Sequence, residues 1–127
     1  MAYELRIKRV YDPASEDDGK RILVDRLWPR GISKERARLD EWNKDITPSP
    51  ELRKWFGHKE ENFDRFKELY TAELDNNKTA PAFLKELSQD LKEGNVTLLY
   101  GARSPSCNHA VILLDWLQAH ITPAPRQ

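Results

Sequence analysis

Leu5-Arg6-Ile7-Lys8-Arg9-Val10-Tyr11 alternates apolar and basic residues except at Arg9, a period of two that predicts a half-exposed strand ending at Asp12-Pro13. Arg21-Ile22-Leu23-Val24-Asp25 holds three consecutive aliphatic residues, the pattern of a strand covered on both faces near the centre of a sheet. Between them, residues 12 to 20 carry Pro13, Ser15, Glu16, Asp17, Asp18 and Gly19, read as a surface loop with nothing to bury. The loop is short for a helical crossover, so these two strands, if adjacent, are expected to be antiparallel. Leu39, Trp42 and Ile46 have helical spacing, yet their polar surroundings also permit an extended stretch, and periodicity leaves residues 39–47 undecided.

Thr47-Pro48-Ser49-Pro50 forces a boundary, because each proline drives the residue before it out of the α region. Ser49 is expected to cap a helix with Pro50 at its first position, burying Leu52, Trp55 and Phe56 before Gly57. Phe63, Phe66, Tyr70 and Leu74 mark a second amphipathic helix. Phe83, Leu84, Leu87 and Leu91 mark a third, closed by Gly94. Val96-Thr97-Leu98-Leu99-Tyr100 is the other strongly apolar strand. A last helix is expected to bury Ala110, Val111, Leu114 and Leu117. A short helix capped by Ser33 completes the order. The expectation is one small α/β domain over residues 1–120, with helices around a short, partly parallel sheet of three to four strands. Residues 121–127, with Pro123 and Pro125, read as a flexible tail.

Composition narrows the function classes. A chain of 127 residues with 39% apolar residues supports one core, and 21 basic against 21 acidic residues give no global field toward nucleic acid or anionic lipid. The charged N-terminal stretch and the lack of a long apolar run point to a cytoplasmic protein without a membrane partner. A lone Cys107 forms no intrachain disulfide. The three histidines lack metal-ligand spacing, so no transition-metal site is expected, and no cofactor is specified; Asp25 with the loop acids could still hold Mg²⁺ beside a phosphate. The scattered glycines fit neither a dinucleotide fingerprint nor a Walker loop.

If the two apolar strands are parallel neighbours, their carboxyl ends bring two loops together at the edge where open α/β folds bind ligands. One carries Asp25, Arg26, Trp28 and Arg30; the other carries Arg103, Ser104, Ser106, Asn108 and His109. Arg26, Arg30 and Arg103, with the two serines and a helix N-terminus, suit a phosphate or carboxylate, whereas solvated or locally paired arginines are the plainer alternative. Trp28 either stacks on a ligand ring or packs over the sheet edge, and Trp42, Trp55 and Trp116 read as core. Asn108 either caps the last helix or orients a substrate, and His109 with Asp25 could act in acid–base chemistry. Cys107 lies where a thiolate nucleophile could sit, but Leu113 stands where an anion-cradling arginine would be needed, so a small buried thiol is the better reading. Whether the protein is an enzyme, and its oligomeric state, stay open. A nucleic-acid-binding module using Arg6, Lys8 and Arg9, and an interaction or structural protein without a small ligand, are the alternatives.

Asp25-Arg26-Leu27-Trp28-Pro29-Arg30-Gly31 is a specific run. With Lys8-Arg9-Val10-Tyr11-Asp12, Ile46-Thr47-Pro48-Ser49 and Asn108-His109-Ala110, it makes the chain, from about residue 5 to 118, resemble the YeaO-like family of bacterial DUF proteins. The resemblance implies a small cytoplasmic α/β domain and supplies no activity.

Overall fold

The computed structural model describes residues 3–121; the expected tail beyond Ile121 lies outside them. Its strands are β1 (Leu5–Arg9), β2 (Lys20–Leu23), β3 (Glu41–Trp42) and β4 (Val96–Tyr100). The α-helices are α1 (Lys34–Ala37), α2 (Pro50–Phe56), α3 (Phe63–Asp75), α4 (Ala80–Asp90) and α5 (His109–His120). The sheet order is β1-β4-β2-β3, with every pairing parallel rather than only some of them. The fold is α/β, and β4, buried throughout, is flanked by β1 and β2.

β1 and β2 are therefore not antiparallel neighbours; both run parallel to β4, one on each side. No helix is needed to return the chain, because extended backbone advances about 3.3 Å per residue and covers a five-residue strand in half the available loop. That loop also buries something, contrary to expectation. Ser15 and Asp18 form a capping box around a 3-10 turn at Glu16–Asp18, and the Asp18 carboxylate is held by Arg21 and Lys8. Gly19 makes this close approach possible. Its φ is 64°, and a Cβ there would lie 1.9 Å from the backbone oxygen of Asn95.

The alternation of β2 and β4 divides the core. Ile22, Val24, Val96, Leu98 and Tyr100 face the layer containing α2, α3, α4 and α5, while Leu23 and Leu99 face a thinner cover that includes Ala37, Ile32 and Trp42. On the first face Phe66 of α3 stacks on Phe56 of α2 at 4.0 Å between ring centroids. Ser49, Ser33 and Asn108 all cap helices as their side chains suggest. Residues 39–47 resolve as extended chain and turn: Asp40 N–H donates to Arg21 O, Asn43 N–H donates to Leu23 O, and Trp42 Nε1–H donates to Asp25 O.

Other helical faces shift. Trp55 is 46% exposed, because only Leu52 and Phe56 of α2 turn inward. In α5 the buried set is Ala110, Ile112, Leu113, Trp116 and Leu117, with Val111 and Leu114 half-buried; a helix apolar nearly all round gives its sequence pattern no phase. Leu84 and Leu91 pack at the margin, and α4 ends at Asp90 with its cap at Leu91, so Gly94 lies in the following turn.

Lys20 joins β2 to β3 and α4. Its Nζ lies 2.8 Å from both Glu86 and Asp90 and 3.3 Å from Glu41. Burial, together with the Glu86 carboxylate, pushes the Glu41 carboxyl up to about 7. A folded-state value above the unfolded one means that the folded protein holds the extra proton between about pH 4.5 and 7. Stability from this group is thus present below that window and lost as pH rises through it, with a slope of at most about 1.4 kcal/mol per pH unit. Denaturation of wild type and Glu41→Gln across pH 4 to 8 checks this: the variant should lack that fall, and parallel curves would refute it.

Candidate functional site

β2 and β4 end with an opened rung. Val24 N–H donates to Leu99 O at 2.9 Å, and in the same register Gly101 N–H would next donate to Val24 O. Instead Gly101 N–H donates to Asp25 Oδ2 at 2.8 Å, and His109, the first residue of α5, places Nε2 2.6 Å from Val24 O. Two side chains thus take the two halves of the missing rung. A carbonyl oxygen only accepts, so Nε2 of His109 carries the proton. Asp25 Oδ1 lies 3.4 Å from the same Nε2, is sealed from solvent and has no hydrogen-bond partner of its own.

Burial pushes the Asp25 carboxyl up and the His109 imidazole down, each effect opposed by the charge of the other residue. Arg53 and His58 are near enough to favour the Asp25 carboxylate and to disfavour a protonated His109. The start of α5, positive by its dipole, acts on His109 in the same sense. Together these hold the His109 imidazole below its ordinary value, which favours its neutral form.

Above this pair opens a cleft of about 580 Å³. Asp25, Trp28, Arg30 and His109, all singled out in the sequence, line it together, so the two loops do meet. Arg26, Arg103, Ser104 and Ser106 do not line it. Arg26 Nε donates to Pro48 O at 3.3 Å, Arg103 is exposed, and Ser104 accepts the Cys107 N–H to shape the turn before α5. Asn108 is fully buried; its Oδ1 accepts Val111 N–H and its Nδ2 donates to Ser104 O, so it is a cap. Trp28 packs edge-on against Trp42 with centroids 5.4 Å apart and donates Nε1–H to Ile32 O, which makes it a wall of the loop. Cys107 is buried, and burial pushes its thiol up, away from the thiolate that a nucleophile needs.

The basic side chains that the sequence did not single out are Arg53 and Lys54, both from α2; His58, just beyond its Gly57 cap, also lines the cleft. Arg53-Lys54 looks like ordinary solvated helix surface in sequence; only the docking of α2 beside the sheet edge turns it toward the cleft. Among the described residues, Arg30, Arg53 and Lys54 form no ion pair, and Asp25 is the only carboxylate in the lining. The basic residues of β1 are otherwise engaged: Arg6 with Glu4, Lys8 with Asp18, and Arg9 with Ala102 O and the Tyr11 ring. Among the described residues, no three His, Cys, Asp or Glu side chains are grouped to hold a metal, and no helix is long and apolar enough to cross a membrane.

Fold and site together define a small parallel α/β protein with a cationic cleft at the carboxyl edge of its sheet. The family model described as "Inactive DUF488-N3 subclade" matches residues 4–125, and the chain belongs to that family. It is 50% identical to "Uncharacterized protein YeaO" of Escherichia coli (strain K12), over 91% of this chain and 97% of that one. It is 41% identical to "Uncharacterized protein Mb3100c" of Mycobacterium bovis, over 89% of this chain and 92% of that one. The same figures hold for "Uncharacterized protein Rv3073c" of Mycobacterium tuberculosis. No solved structure matches.

Proposed function

We propose that the cleft binds a small molecule bearing phosphate or carboxylate, held by Arg30, Arg53 and Lys54. One observation carries this reading: three cations from two segments, Arg30 from the loop after β2 and Arg53 and Lys54 from α2, line a single cleft without forming an ion pair among the described residues. Left alone, such a group of like charges is repulsive, and a bound anion relieves it through charge-assisted hydrogen bonds. The cleft is within the roughly 300–1,000 Å³ range of small-ligand sites. A family described as inactive suits a receptor for a ligand better than a site of turnover. Asp25 and His109 then close the open end of the sheet and form the base of the cleft, so they have a role without acid–base chemistry.

Calorimetric titration with inorganic phosphate, pyrophosphate and glycerol 3-phosphate tests the proposal. At least one should bind, and Arg53→Ala or Arg30→Ala should each weaken it about tenfold, the loss of one charge-assisted contact. No binding by any of the three at millimolar concentration, with no thermal stabilisation, would end this reading.

A further inference from the structure

The base of the cleft differs in character from its rim. Arg30, Arg53 and Lys54 supply only donors and positive charge. Below them, His109 has committed its single N–H to Val24 O, with Asp25 Oδ1 on the same side of the ring. The other ring nitrogen, Nδ1, is therefore an acceptor. It makes no hydrogen bond among the described residues and, unlike Asp25 Oδ1, is not among the atoms sealed from solvent. His109 is itself a lining residue of the cleft. An acceptor at the base of a cationic cleft is of no use to the anion, because an anionic oxygen and a lone pair repel.

We infer that the ligand carries a neutral hydroxyl donor beside its anionic group, and that His109 Nδ1 receives it. The inference rests on the cleft being an anion site and adds the chemical class: a hydroxylated phosphate, such as a polyol or sugar phosphate. A hydroxyl suits the position better than an ammonium group. Arg53 already acts on Asp25 and His109, so a further cation there would be repelled, whereas a hydroxyl donates without adding charge. A phosphate suits the rim better than a carboxylate, since three cations match a dianion with several acceptor oxygens.

The test uses the unmodified protein and three ligands: inorganic phosphate, propyl phosphate and glycerol 3-phosphate. The last two share a three-carbon chain and differ in hydroxyls. Glycerol 3-phosphate should bind about tenfold more tightly than propyl phosphate, the effect of one added hydrogen bond to the acceptor at the base of the cleft. With ¹⁵N-labelled histidine, Nδ1 of His109 should resonate as an unprotonated nitrogen in the free protein. It should move upfield with glycerol 3-phosphate and stay in place with propyl phosphate. Equal affinities of the two esters with an unmoved Nδ1, or a protonated Nδ1 in the free protein, would overturn the inference while leaving the anion site standing. Failure of all three ligands to bind would remove both.

Discussion

Asp18→Asn should lower the unfolding free energy by about 3–5 kcal/mol at neutral pH, the usual effect of removing one partner from a buried ion pair. Asp18 is 2% exposed and Arg21 4%, and Arg21 also donates to the Ala37 and Arg38 carbonyls. Asparagine keeps the shape of the turn but leaves the Arg21 guanidinium, and Lys8 beside it, without a counter-charge. Acid should reproduce the loss in the wild type. Burial raises the Asp18 carboxyl, but the Ser15 backbone, Lys8 and Arg21 together outweigh it and hold the group below its usual 3.8. A depressed folded-state value means stability that is present above the unfolded pKa and lost as pH falls through the folded one. Chemical denaturation at pH 7 and pH 3 should therefore show the two proteins differing widely at the first and converging toward the second. A difference below about 1 kcal/mol at pH 7 would make this pair no stronger than a surface contact.

Phe66→Ala should cost about 3–5 kcal/mol, as for other buried phenylalanines. The ring is 1% exposed, stacks on Phe56 at 4.0 Å and lies 5.9 Å from Tyr70. It also has a consequence at the site. Phe56 belongs to α2, and the Phe56–Phe66 stack helps fix the helix that presents Arg53 and Lys54. Loosening it should weaken phosphate binding even though no charged residue changes. Phe66→Leu, which refills part of the volume, should recover most of both losses. If alanine at position 66 unfolded the protein no more easily than the wild type, the α2–α3 stack would not be holding the helical layer.

The parts of the molecule legible in the sequence are those whose cause is local. Ser49-Pro50, Ser33 and Asn108 announce helix starts because capping needs only a side-chain oxygen within three residues of the amide it satisfies. Phe63, Phe66, Tyr70 and Leu74 fix the inward face of α3 because that helix has a polar side for contrast. The meeting of the Asp25 and His109 loops was legible too, since it follows from two apolar strands lying parallel. Belonging to the YeaO-like family was written in residues 25 to 31 and held across the chain.

Less legible were features that depend on what an element meets. Trp42 has helical spacing and lies in a strand because backbone from β2 is there to bond with it. Asp18 looks like one more loop acid until Arg21 and Lys8 are placed beneath it. Of the arginines expected at the cleft only Arg30 lines it, because Arg26 is held by the Pro48 carbonyl and Arg103 stands outside, while Arg53 and Lys54 line it from α2.

By itself the sequence determined the α/β class, the caps and the two loops that meet at the carboxyl edge of the sheet, because short-range sterics, hydrogen bonding and hydrophobic period act within a few residues. The tertiary structure alone decided the strand order, the opened rung filled by Asp25 and His109, and which cations surround the cleft. Those depend on distances between groups far apart in the chain, and no periodicity or neighbouring residue encodes such a distance.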